Sequence, residues 1–393
     1  MKRKNIKIET KLIREGLNRT NFSETSEPIF MTSSYVYDSP EQAEARFKGD
    51  DDGFIYSRYG NPTVKVFEDR LASIEGGEKC FATSTGMAAV FSSMMCFLEQ
   101  GDKIVASRAL FGSCYQILTK IFPKYGISTT FVSGKNIEEW EQAIDDDTKA
   151  VFFETPSNPT LEIIDIAAVS QIAKKVGAKV VIDNVFATPI LQKPLQLGVD
   201  IVVYSGTKHI DGQGRALGGA IISDNEYYEK HLKPYMRHTG ASLSPFNAWI
   251  MLKGLETLKL RVEHQSDSAL KLAEYYLKHK KIKQVIYPSK NTHDQYDLIK
   301  SQMSKGGTLL TMILDGGKKE VFKMLNNLEI IDISNNLGDT KSLITHPATT
   351  THYSLGQEGR KEAGISDGMI RLSVGLENPE DLIDDLDKSL DKI

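Results

Sequence analysis

Between residues 79 and 222 short apolar runs recur along the chain: CFATS, KIVAS, TTFVS, AVFFET, VVIDN, IVVYS and GGAII, with helix-like or loop sequence between most of them. Nearly continuous apolar runs mark strands buried on both faces, and the intervening segments mark crossovers. The pattern predicts an α/β unit, a largely parallel sheet with helices on both faces and ligands at the carboxyl ends of its strands. After about residue 245 the pattern changes. AWIMLKGLETLKLRVEHQSDSALKLAEYYLKH reads as amphipathic helix, VIYP, TLLTMIL and MIRLSVG as strands, and NPEDLIDDLDKSL as a last helix, which together predict a smaller α+β domain. Residues 1 to about 60 show little periodicity and predict an extended arm lying on something else, a second subunit being the natural candidate. The chain accordingly divides into an arm (1–60), an α/β domain (61–255) and a C-terminal α+β domain (256–393).

Composition narrows the function. The 393 residues are 40% hydrophobic and 25% charged with a net charge of −4, which gives no footprint for nucleic acid or an anionic membrane. The basic start MKRKNIK has no apolar stretch behind it and reads as a solvated tail, not an export signal. MAAVFSSMMCFL at 87–98 is shorter than the ~18 apolar residues that span a bilayer, and reads as a buried helix. Cys80, Cys96 and Cys114 lack C-x-x-C spacing and the eight histidines lack H-E-x-x-H spacing, so neither a disulfide framework nor a metal is expected. A reducing cytoplasm is the expected location.

The chemistry centres on YSGTKHIDGQGR at 204–215. A lysine at the end of a buried strand is costly to hold as an ammonium, so burial lowers the pKa of Lys208 and leaves a nucleophilic amine suited to Schiff-base formation. Asp183 ends VVIDN, another apolar run, and can pair with a protonated pyridine nitrogen, so lysine plus aspartate points to pyridoxal 5′-phosphate. That cofactor needs a phosphate cup. CFATS turns through small residues into a helix beginning near Gly86, where the N–H groups of Gly86 and Met87 would face an anion and the hydroxyls of Ser205 and Thr207 would add donors. GQGRALGG at 212–219 has the wrong glycine spacing for a dinucleotide site and reads as a flexible connection. Taken singly, each of these residues has an ordinary alternative: Lys208 a solvated lysine, Asp183 a turn residue.

The strings YSRYGNPT (56–63), STGMAA (84–89), ETPSNPT (154–160), VIDNVFATP (181–189), SGTKHIDGQG (205–214), SLITHPATTTH (342–352) and IRLSVGLE (370–377) stand in an order that resembles the Cys/Met-metabolism family of fold-type I pyridoxal phosphate enzymes, along nearly the whole chain. The resemblance implies that Lys208 carries the cofactor, Asp183 partners its ring nitrogen and Asn158 contacts its 3′-oxygen. It adds Tyr56 and Arg58, reaching the phosphate from a neighbouring subunit, with Tyr56 also taking part in proton transfer. Arg371 would grip the substrate α-carboxylate, for which its planar fork is suited; by itself it would serve equally well in a structural salt bridge. The assembly implied is a homo-oligomer, a tetramer built from two dimers that share active sites.

Two positions depart from the family pattern. Phe111 in LFGSC stands where many members have a tyrosine on the cofactor ring; it can stack but carries no proton. Asn336 in NNLGDTKSL replaces a serine near the substrate carboxylate, which an amide can still bond. The activity implied is γ-replacement on O-succinylhomoserine by sulfide, giving homocysteine and succinate. Its rivals are γ-replacement by cysteine and γ-elimination to a keto acid and ammonia. A rival of another class is a non-catalytic cofactor-binding regulator, which would need a nucleic-acid-binding domain that the length and charge do not provide.

Overall fold

Seven apolar runs become seven strands in the computed structural model, which describes residues 6–289 and 292–393. Residues 1–5 of the basic start lie outside the described residues. The strands are β1 (Lys79–Thr83), β2 (Lys103–Ser107), β3 (Ser128–Val132), β4 (Thr148–Glu154), β5 (Lys179–Asp183), β6 (Ile201–Ser205) and β7 (Gly219–Ser223). They form one sheet in the order β1-β7-β6-β5-β4-β2-β3. β7 runs antiparallel to both neighbours, and every other pairing is parallel. All strands but β7 therefore end on the same edge.

Alternate residues of the inner strands feed separate cores, the reason their runs show no polar face, whereas the edge strand β3 exposes Ser128 and Thr130. Val151 and Phe153 of β4 pack with Phe67, Leu71 and Leu255 on one side. Ala150 and Phe152 pack with Val90, Met94 and Phe122 on the other. Burying apolar residues on both faces is what makes a parallel sheet stable.

The second sheet has five strands in the order β10-β11-β12-β9-β8: β8 (Ile282–Ile286), β9 (Leu309–Leu314), β10 (Asp332–Ile333), β11 (Leu343–Thr345) and β12 (Met369–Ser373). β10 and β11 escape a periodicity reading because two or three residues are too few to show a period. The predicted long amphipathic segment is two helices, Pro245–Glu256 and Leu258–Tyr276, interrupted at Thr257. The last helix, Pro379–Leu390, packs Leu382 and Leu386 into the core of the second sheet.

The arm departs from the extended expectation. It contains helices α1 (Ile8–Arg14) and α2 (Pro40–Lys48), followed by α3 (Pro62–Glu75) at the start of the α/β unit. α2 carries a readable start signal: Ser39 caps it by accepting from the Gln42 N–H, with Pro40 in the first turn. α1 lies on its own subunit, where Leu12 is buried and Lys11 donates to the carbonyl of Ser73. Farther along, Glu27 is held by the buried Arg70 (2.6 Å) and by Lys253. The rest of the arm leaves large apolar side chains in solvent: Phe22 and Val36 are each 92% exposed.

Among the described residues no helix is long and apolar enough to cross a membrane. MAAVFSSMMCFL lies mostly in helix α4 (Gly86–Met95), which packs on the sheet through Ala89, Val90 and Met94. The three cysteines are free thiols.

Candidate active site

A cavity of about 240 Å³ opens where β1, β4, β5 and β6 end and the second sheet approaches. Each strand end contributes a functional group. β1 runs through Ser84 and Thr85 into α4, and Thr85 caps that helix by accepting from the Ala88 N–H at 3.0 Å. The first-turn amides of Gly86 and Met87 have no acceptor within the helix and carry its positive end. Gly86 is required by packing: a Cβ there would stand 2.6 Å from Cβ of Ser205. Its absence brings the start of α4 against the end of β6, where Ser205 and Thr207 also line the cavity. Amides at a helix start with two hydroxyls beside them form a cup for a phosphate.

Lys208 and Asp183 line the same cavity. Burial, reinforced by the Arg371 guanidinium and opposed by Asp183, lowers the Lys208 amine to about 8. Asp183 accepts from the Val185 N–H at 3.0 Å, and its other oxygen has no partner among the described residues. Burial raises its carboxyl to about 6 against the pull of that N–H and of Lys208, so near neutrality it is an anion available to a cationic ring nitrogen. Phe111 and Asn158 stand in the cavity wall. The donor set, the cup and the lysine–aspartate pair suit pyridoxal phosphate.

Arg371 lies on β12, the central strand of the second sheet, and is 1% exposed. Nη1 donates to Oδ1 of Asn158 at 2.9 Å, and Nη2 donates to the carbonyls of Asn335 (2.9 Å) and Asn336 (3.2 Å). Nε is buried with no partner among the described residues. A fork held this firmly with a donor in reserve suits a carboxylate ligand.

Three predicted residues stand apart from the cavity lining. Asn336 reaches the site through its side chain, Oδ1 accepting from Nζ of Lys208 at 2.5 Å, while its neighbour Asn335 lines the cavity. Tyr56 and Arg58 do not line the cavity of their own chain. Tyr56 is 41% exposed, and Arg58 lies over the rings of Tyr56 and Tyr59.

Sequence reasoning missed Glu154, Thr85 and Thr351, all in the cavity wall. Glu154 was in plain view at the head of ETPSNPT, ending an apolar run just as Asp183 does. Thr85 carried the helix-cap signal, a threonine just before an apolar helix. Thr351 gave no local signal, since only the fold brings its loop to the site.

Residues 9–391 match the profile of the family described as Cys/Met metabolism PLP-dependent enzyme. The chain is 54% identical over 382 residues to an O-succinylhomoserine sulfhydrylase of Mycobacterium tuberculosis, covering 96% of this chain and 94% of the relative. It is 40% identical over 395 residues to an L-methionine gamma-lyase of Fusobacterium nucleatum subsp. polymorphum, covering the whole of both. A solved structure from Campylobacter jejuni subsp. jejuni, which holds N′-pyridoxyl-lysine-5′-monophosphate, is similar with a TM-score of 0.94 at 34% identity, covering 98% of this chain and 100% of that one.

Proposed function

The chain belongs to the Cys/Met metabolism family of PLP-dependent enzymes, and from that premise we propose that it catalyses γ-replacement on O-succinylhomoserine: sulfide displaces succinate and homocysteine is released. The Cγ–O bond breaks, a Cγ–S bond forms, and the succinyl group leaves as succinate.

When bound, pyridoxal phosphate supplies an electron sink for a carbanion at the substrate α-carbon. The protein's part is positioning and proton traffic. Arg371 holds the α-carboxylate, using the unpartnered Nε together with a fork already braced by Asn158. Nζ of Lys208 takes the proton from Cα. An amine lowered to about 8 is poised to give and accept protons near neutrality, so the same group can serve the β-carbon. Asp183 presents its negative charge to the ring nitrogen.

One observation favours an acylated substrate: the aromatic wall is Phe111, which carries no proton. A leaving thiolate or amine needs an acid, whereas succinate leaves as a weakly basic carboxylate without one. The relative that bears the sulfhydrylase activity at 54% identity supports the same reading. The shared site is also part of the proposal. Tyr56 and Arg58 from a second copy complete the cup, a reading supported by neither lining the cavity of its own chain and by the exposed apolar side chains of the arm. Free, unpaired thiols fit a reducing cytoplasm.

The test is a product survey. Purified protein is incubated with O-succinyl-, O-acetyl- or O-phosphohomoserine, each with sulfide or cysteine. Homocysteine from the succinyl ester is expected to dominate. Cystathionine as the main product at comparable nucleophile concentrations would overturn the proposal, as would a keto acid and ammonia whatever nucleophile is present.

A further inference from the structure

We propose that Glu154 is a positioning residue that locks two walls of the active site together, holding Phe111 with one carboxyl oxygen and Asn158, and through it Arg371, with the other. The inference rests on the proposed function of this cavity. Glu154 is the last residue of β4, 6% exposed, in register with Asp183 on the adjacent strand. Its Oε2 accepts from the Phe111 N–H at 3.0 Å and its Oε1 from the Asn158 N–H at 2.8 Å.

Both partners depend on their backbone for placement. Phe111 sits just before the helix Gly112–Gln116, with no side-chain cap to anchor it. Asn158 is bonded through three of its groups, and its Nδ2 has no partner among the described residues. Its N–H goes to Glu154, its carbonyl oxygen meets Nε2 of His352 at 3.1 Å, and its Oδ1 accepts from Arg371. One carboxyl thus ties the ring wall at 111 to the carboxylate-binding arginine at 371.

The arrangement is expensive for a merely structural tie. No lysine or arginine pairs with Glu154 among the described residues, and a second carboxyl lies beside it. An isolated buried carboxylate is strongly disfavoured. Burial, and after it the neighbouring Asp183, raises the Glu154 carboxyl to about 8, so around pH 7 the pair carries its negative charge on Asp183. A neutral acid at 154 ties two amides without competing for the ring cation.

Glu154→Gln isolates the geometric role. It keeps the size and the neutral charge, but an amide can accept with only one of its two heads, so one backbone N–H loses its partner. Apoprotein is titrated with pyridoxal phosphate and followed by visible circular dichroism, and KM and kcat are measured with O-succinylhomoserine and sulfide. The expected result is a roughly tenfold weaker cofactor affinity, a diminished dichroic band, and a rise in KM larger than the fall in kcat. In combination with Phe111→Leu the effects on cofactor affinity should be less than additive, because both act on one wall. Wild-type cofactor affinity and dichroism in Glu154→Gln, or strict additivity with Phe111→Leu, would overturn the inference. If Glu154→Gln does not fold, Glu154→Asp replaces it: one methylene too short to hold both amides, it should shift the same readouts in the same direction. A wild type that binds cofactor yet makes no homocysteine would sink the proposed reaction, while the dichroic titration would still decide the role of Glu154.

Discussion

Nζ of Lys208, just beyond the end of a strand in the large sheet, donates to Oδ1 of Asn336, in a loop of the second sheet, at 2.5 Å. The amine expected to do the chemistry is thus restrained from across the cleft by a side-chain amide. Removing the restraint with Asn336→Ala should leave cofactor binding intact and lower kcat roughly tenfold, the scale of a hydrogen bond to a charged group. Steady-state kinetics beside a cofactor titration checks this; unchanged kcat would show that the contact does not orient the amine during turnover.

Arg371 should not tolerate lysine. Its guanidinium holds three protein oxygens at once, and an ammonium cannot match that planar fork and also bind a carboxylate. Arg371→Lys is expected to raise KM for O-succinylhomoserine at least roughly tenfold, with kcat less affected. Equal KM values for the two proteins would remove Arg371 from substrate binding.

The buried acids predict how the apoprotein responds to pH. Burial raises Glu154 and Glu68 from 4.5 to about 8, so the folded state binds protons that the unfolded chain has released. Their contribution is complete below 4.5 and is lost as pH rises through 8. His209, lowered to about 3, acts in the opposite sense but only up to 6.5. Lys208, lowered to about 8, begins to restore stability only above that value. Between pH 6.5 and 8 the apoprotein should therefore lose stability, by about 3–4 kcal/mol for the two carboxyls together given ~1.4 kcal/mol per pH unit per group. Denaturant melts at the two pH values test the sign, and Glu154→Gln should flatten the slope.

Subunit mixing addresses the shared site. Tyr56→Phe and Lys208→Ala chains, each impaired alone, should regain activity when co-assembled, because a mixed dimer holds one site with both native residues. Colour gives a control, since Lys208→Ala alone should lack the visible cofactor band of the wild type. Confirmed mixed assemblies with no gain would mean that Tyr56 does not act across subunits.

Cutting the tie between Glu27 and Arg70 should loosen the arm. Both side chains are buried, and Glu27→Ala would leave the guanidinium only the more exposed Glu256 at 3.6 Å as counter-charge, a loss on the order of 3 kcal/mol for a buried pair. Thermal melts should show the loss and limited proteolysis should then cut before α3; a wild-type melting curve would refute the role.

The sequence by itself determined the strands of the large sheet, because inner strands buried on both faces must be largely apolar and so announce themselves. It singled out Lys208, Asp183 and the start of α4 as candidates for the same local reason: each closes an apolar run or opens a helix. The ordered strings carried the family and the residues to examine. Only the tertiary structure decided what those residues hold. That Asn158 braces Arg371, that Asn336 reaches Lys208, and that Glu154 ties Phe111 to Asn158 depend on residues 43 to 213 positions apart meeting at one edge. No local period encodes such a meeting. β10 and β11 escaped for want of length, and α1 because its single buried leucine packs against a helix some fifty residues away.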